Sequence, residues 1–185
     1  MPAIVAMWRG VNVGAHNRIS MEALRAMCGA LDLQGAQTYV QSGNVVFRSK
    51  ERNLGALARR IENAVEKTFG FRAPLVLRTA AEMRAVIANN PFAMRKDIEP
   101  NKFHVLFLTE DLSPEAREQL EAAKLGPEEI EARARELYVY YPNGMGRSKL
   151  PALMDRILKK TGTARNWNSV TALLDMADQL EGSPG

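Results

Sequence analysis

The sequence predicts an α+β chain in which a strand–helix–strand–strand–helix order is run through twice. Three observations carry this. Short strand-forming runs alternate with amphipathic helical segments. Two neighbouring strand runs meet at a tight glycine turn. The same order of elements begins again near residue 100, after a linking segment.

Residues 3–9 are apolar and form a first strand, followed by a polar loop from Gly10 to Arg18. Ser20 caps a helix running to about Leu31, with Leu24, Met27, Cys28 and Leu31 at helical spacing. Residues 36–41 and 44–49 are strands, and Ser42-Gly43 with Asn44 supplies the turn between them. Asn53 caps a long helix whose apolar face is Leu54, Leu57, Ala58, Ile61, Val65 and Phe69, and Gly70 ends it. Residues 72–78 form a fourth strand. Thr79-Ala80-Ala81-Glu82 fits a capping box for a linking helix to about Asn89. Residues 91–101, with two prolines, read as a loop.

In the second round, Lys102 to Thr109 is a strand, and Ser113-Pro114-Glu115 starts a helix to about Leu125. Glu129 to Arg135 alternates as an edge strand, and Leu137 to Tyr141 is a clearer strand. Ser148 begins a helix bearing Leu150, Leu153, Met154, Ile157 and Leu158. A last helix runs from about Trp167 to Leu180. Each round matches the split βαβ, ferredoxin-like unit: βαββαβ, then a βαββα copy with an extra C-terminal helix. The expected organisation is a first half over 1–79, a linking helix and loop over 80–101, and a second half over 102–181. The competing architecture is one continuous mixed sheet covered by helices.

Composition excludes several classes. With 46% apolar residues the chain is globular rather than disordered, and its single cysteine, Cys28, rules out an internal disulfide framework and a Cys-cluster zinc site. No apolar run reaches the ~20 residues of a membrane span. The N-terminus lacks the basic region and cleavage signature of a secretion signal, so the expectation is a cytoplasmic, soluble protein. Residues 1–79 hold 11 basic and 5 acidic side chains, whereas residues 80–185 hold 14 and 16. A net charge of +4 permits phosphate or nucleic-acid binding without demanding it.

Catalytic motifs are lacking. The string Gly144 to Lys149 is too short and misordered for a P-loop, and Ser42 sits outside any Gly-x-Ser-x-Gly elbow. His16 and His104 are far apart in the sequence, and Cys28 shares a helix face with Leu24 and Leu31. No metal site and no cofactor are expected.

Four polar segments remain. Arg9-Gly10-Val11-Asn12-Val13-Gly14 leaves the first strand, and Tyr39-Val40-Gln41-Ser42-Gly43-Asn44 forms the hairpin tip. Strands one and two of a split βαβ unit run parallel, so both segments fall on one rim, where Arg9, Asn12, Gly14, Tyr39, Gln41, Ser42 and Asn44 could meet one ligand. Gly144 to Lys149 enters a helix N-terminus, where Arg147, Ser148 and Lys149 suit a phosphate or carboxylate. Arg165, Asn166 and Trp167 form the last cluster, and could clamp or stack on a base. From Arg147 to Arg165 there are six basic residues and one acid, Asp155. The plainer reading of each segment is turn, cap or packing chemistry. Base stacking on the sheet, as in RRM domains, is unsupported: the two central strands offer only Trp8 and Phe47.

Four blocks of this sequence resemble the signature of a bacterial family catalogued as domain of unknown function 1697. They are residues 8–14, residues 38–47, Gly146-Arg147-Ser148-Lys149-Leu150 and residues 163–170. The resemblance implies a duplication of ferredoxin-like halves, and it brings no activity, substrate or catalytic residue. The leading functional expectation is a binding protein for a phosphorylated small molecule or a single-stranded nucleic acid. The alternatives are a structural or interaction module, including a homodimer, and a small metal-independent enzyme in which His16 and Tyr39 are the titratable groups near the rim.

Overall fold

A computed structural model of the chain describes residues 1–40, 43–123 and 126–183. The chain divides into two units, Met1–Arg84 with Ala172–Gly185, and Ala85–Thr171.

The first unit holds β1 (Ala3–Trp8), α1 (Met21–Ala30), β2 (Gln34–Thr38), β3 (Asn44–Arg48), α2 (Leu54–Phe69) and β4 (Leu75–Thr79). Its sheet has the order β2-β3-β1-β4, with every neighbouring pair antiparallel. This is the ferredoxin-like order. β1 is buried along its whole length, as a central strand covered on both faces must be. β2 is an edge strand with alternating exposure, and its register shifts between Gln34 and Gln37, a bulge of the kind that protects edges. One face of the sheet, with Ile4, Ala6, Trp8, Val45, Phe47, Leu75 and Leu77, packs with Leu24, Met27 and Cys28 of α1 and Leu57, Ile61 and Val65 of α2.

The helices start and stop where their caps stand. Ser20 accepts from the Ala23 N–H and Asn53 from the Ala56 N–H, and Gly70 closes α2 in the left-handed region. At the head of α3 (Ala80–Ala88) the capping box is formed: the Glu82 carboxylate accepts from the Thr79 N–H at 2.8 Å, and the Glu82 N–H donates to Thr79 Oγ1 at 3.1 Å.

The second unit repeats the plan with β5 (Phe103–Leu108), α4 (Pro114–Ala122), β6 (Glu129–Arg133), β7 (Glu136–Tyr140), α5 (Leu150–Ile157) and β8 (Gly162–Asn166). Its sheet order is β6-β7-β5-β8, again antiparallel throughout. The copy expected to lack a fourth strand therefore has one. β8 occupies residues 162–166, ahead of α6 (Trp167–Gly182). The two registers match position for position: Val5 faces Arg78 in the first sheet, and Val105 faces Arg165 in the second. Both arginines are buried, and each donates to the carbonyl of the residue before it, Leu77 and Ala164. The duplication thus reaches individual side chains.

His104, the second residue of β5, is half-buried and set edge-on to Tyr141, with ring centroids 5.3 Å apart, and burial holds its imidazole below the ordinary histidine range. Among the described residues no helix is long and apolar enough to cross a membrane, and no cluster of His, Cys, Asp and Glu could hold a metal ion.

Candidate functional site

In the first unit the C-terminal ends of β1 and β2 and the start of β3 share one rim, because β3 runs antiparallel between its two neighbours. Backbone bonds tie the rim together. The Trp8 N–H donates to Gly43 O at 2.9 Å, the Tyr39 N–H to Asn44 O at 3.1 Å and the Arg9 N–H to Pro74 O at 2.9 Å. Gly43 is required twice over. Its φ is +73°, and a Cβ there would stand 3.1 Å from Trp8 Cβ and 3.2 Å from Val11 Cβ.

The loop after β1 is laced to itself. Asn12 sits at φ +56°, a region its short polar side chain tolerates. Its amide donates to Ile19 O at 3.0 Å and accepts from the Ile19 N–H at 2.8 Å. The Asn12 N–H donates to Asn17 O at 3.0 Å, and Asn17 Nδ2 returns a bond to Gly10 O at 3.2 Å. Asn44 is fully buried and donates to Tyr39 O at 3.2 Å. Among the described residues nothing lies within 4 Å of where a Cβ on Gly10 or Gly14 would stand. Arg9 is half-buried, Arg18 and His16 are exposed, and Arg25 reaches across to Thr38 Oγ1 at 2.7 Å. Val40, β-branched and exposed, is held at φ +46°, where such a residue is strained. Gln41 and Ser42, both candidate ligand residues, lie outside the described residues.

In the second unit the remaining candidates gather at the other end of the repeated fold. Phe103 and His104, at the start of β5, pair with Tyr140 and Asn166 at the ends of β7 and β8. The Gly144–Lys149 loop follows β7, and Trp167 follows β8. The rim of the first unit lies instead at the far end of its central strand, so the two groups are not duplicate copies of one site.

Arg147 and Lys149 are exposed. Ser148 Oγ accepts from the Leu150 N–H at 3.0 Å, and Pro151 carries no N–H. The first turn of α5 therefore presents fewer free donors to an anion than an ordinary helix start. Arg165 is 9% exposed and donates to Thr163 Oγ1 and Ala164 O, both at 2.8 Å, and burial pushes its guanidinium down to about 10. Asn166 accepts from the Ser169 N–H at 2.9 Å, capping α6. The Trp167 ring lies 5.0 Å from that of Phe103, tilted by 31°.

The family described as "Protein of unknown function (DUF1697)" has a model that matches residues 1–138. The chain belongs to this family. No curated protein matches it. Among solved structures it is similar to "conserved bacterial protein SP0830 from Streptococcus pneumoniae", with a TM-score of 0.75, 22% identity, and coverage of 95% of this chain and 98% of that one. At that identity the likeness shows the fold.

Of the four blocks in this DUF1697 chain, the first two lie within the family match and the last two beyond it. The first two meet on the rim of the first unit. Arg165, Asn166 and Trp167 make the packing and capping contacts of β8 and α6. Arg18, Val13 and Val40 belong to the rim and were not among the sequence candidates. A polar loop running to Arg18 was the available signal for the first, and strain at Val40 has no signature in the sequence.

Proposed function

We propose that this chain binds a phosphorylated ligand, a nucleotide or a short single strand of nucleic acid, on the rim at the C-terminal end of β1. The observation that carries the reading is the pinned loop between Arg9 and Arg18. Asn12 fixes it through two bonds to Ile19, and among the described residues nothing crowds Gly10 or Gly14, in a loop with Arg9 and Arg18 at its two ends. A loop already ordered before binding loses little entropy on meeting its ligand. Open glycine backbone lets an anion approach closely, and nearby guanidiniums supply charge-assisted bonds. Tyr39 stands at the same rim as a ring on which a base can lie.

The test is fluorescence anisotropy with short labelled single-stranded RNA and DNA at low and near-physiological salt, with free nucleotides as competitors. The expected result is binding that weakens with salt and is lost in an Arg9→Ala, Arg18→Ala double variant. Binding indifferent to salt and to both arginines refutes the reading.

A second reading is an interaction module, favoured by one observation: Val13 and Val40 are 67% and 53% exposed on this same rim. A Val13→Asp, Val40→Asp variant that dissociates a complex seen in sedimentation would support it, and a monomeric wild type would weaken the homodimer form of it.

A further inference from the structure

The two helices that cover the second sheet are sorted by charge. α4 buries Leu120, α5 buries Leu150 and Met154, and all three join one core cluster. Both helices therefore lie on the same face of the sheet and turn their opposite sides to solvent. Among the described residues, the exposed charges on α4 and the turn before it are all acidic: Glu110, Asp111, Glu115, Glu118 and Glu121. Those on α5 and the turns beside it are all basic: Arg147, Lys149, Arg156, Lys159 and Lys160. Arg117 and Asp155, each of the other sign, are half-buried. The ion pairs of this unit join Arg95 to Asp97 and Glu129, Lys102 to Glu99 and Arg133 to Glu131, so neither row takes part in them. The first unit is not sorted in this way. Exposed Glu22 and Arg25 share α1, and exposed Glu66 and Lys67 share α2.

Such sorting costs stability in an isolated chain. Glu115, Glu118 and Glu121 follow at three-residue spacing, where like charges on a helix repel. Glu121 lies in the last turn of α4 and Lys149 at the N-cap of α5, each at the helix end that disfavours its charge. A nucleic acid does not relieve this. A phosphate strand drawn to α5 meets the carboxylates of α4 one helix diameter away, about 10 Å.

We propose that this face docks against the same face of a second copy of the chain. α4 runs back along β5 and α5 back along β7, and those strands are antiparallel, so the two helices are antiparallel as well. A two-fold axis between them, in the plane of contact, sets each α4 on the α5 of the other copy. The acids at the start of α4 then meet the cations at the end of α5. Glu121 of one copy meets Lys149 of the other, which brings the two unfavourably placed charges together. Helices of 9 and 8 residues are about 13 and 12 Å long, so the face buries a few hundred Å² per copy, below the roughly 800 Å² of a standard interface. The dimer is weak and held by charge. It is independent of the rim and of the ligand proposed there.

Sedimentation equilibrium on the full chain, over a concentration series at low and near-physiological salt, reads this dimer. Wild type associates, and its Kd rises by roughly tenfold or more with salt. Glu115→Lys, Glu118→Lys and Glu121→Lys together leave a monomer. Adding Lys149→Glu, Arg156→Glu and Lys159→Glu to that chain restores the dimer at the wild-type net charge. The swapped chain and wild type, equal in net charge, do not pair with each other when one of them is fluorescently labelled. Val13→Asp, Val40→Asp leaves the dimer intact, which separates this face from the rim. Far-UV circular dichroism verifies that each variant is folded. A monomeric wild type at low salt, association indifferent to salt, a dimer that survives reversal of α4, or a swapped chain that stays monomeric would each overturn the proposal.

Discussion

Replacing Asn12 separates the two jobs that residue performs. Its side chain makes two bonds to the backbone of Ile19, at 3.0 and 2.8 Å, and Ile19 is only 4% exposed. Losing both leaves a poorly hydrated N–H and C=O, at a cost of about 1–3 kcal/mol. Asn12→Ala adds the left-handed penalty at φ +56°, roughly 1 kcal/mol more. Asn12→Gly removes the bonds and relieves the backbone. The expected order of stability is wild type, then Asn12→Gly, then Asn12→Ala. For a chain of this size a loss of about 3 kcal/mol lowers Tm by about 6–12 °C. Urea unfolding followed by Trp fluorescence reads the same change at constant temperature, and Trp8 lies on the affected rim. Asn12→Ala unfolding at the wild-type midpoint would refute the claim that Asn12 pins the loop. A ranking with glycine below alanine would refute the backbone part alone. On the proposed function, both variants also bind the anisotropy probe more weakly, because the loop must then be ordered by the ligand.

Val40→Gly releases a strained β-branched residue at φ +46° and raises stability by about 1 kcal/mol, read as a higher urea midpoint; an unchanged or lower midpoint counts against strain there. Cys28 is fully buried and burial pushes its thiol up to about 11, so a thiol reagent at pH 8 labels it only as fast as the chain unfolds; rapid labelling under native conditions would disprove this. Glu181 is held below the ordinary carboxylate range: burial opposes this, and it is outweighed by the bonds it accepts from Arg84 and from the Ala3 N–H. Its folded value is lowered, so its contribution is complete above the unfolded value near 4.5 and is lost as pH falls through the folded one. Glu181→Gln therefore flattens the acid limb of a stability–pH curve, and a limb left unchanged would contradict it. Arg165→Ala costs about 2 kcal/mol or more, since it strips a buried side chain of two bonds and its packing, whereas exposed Arg52→Ala stays within about 0.5 kcal/mol; equal effects by chemical denaturation would refute the difference.

Helix ends were legible because their signals are local. Ser20, Asn53, Gly70, Ser113 and the Thr79–Glu82 pair each act within four residues, and each cap stands where the sequence puts it. β8 was hidden for the opposite reason. Its strand, Gly162 to Asn166, opens on glycine and carries an arginine, which reads as a loop. Glycine is needed there because a Cβ would come within 3.0 Å of Leu106 Cδ1, Leu108 Cδ2 and the Phe107 carbonyl, and those contacts are set by a strand about 55 residues earlier. The candidate residues show a similar split. Asn12, Asn44 and Asn166 were read as groups facing a ligand, and each bonds the backbone of its own turn or helix. An amide's chemistry announces that it will make hydrogen bonds, while the identity of its partner depends on a loop path that the sequence does not spell out. Convergence of the β1 and β2 ends was readable because strand order alone dictates it.

The docking of the chain's last helix has a practical consequence. Glu181, near the end of α6, accepts from the Ala3 N–H at 3.1 Å, and Ser183 O accepts from Arg48, which is paired with Ala3. The first and last described turns of the polypeptide are neighbours, so a short glycine–serine bridge could close the chain into a ring. Such a ring could be reopened in the connection between α3 and β5, giving a permuted protein in which the two copies of the repeat trade places in the gene.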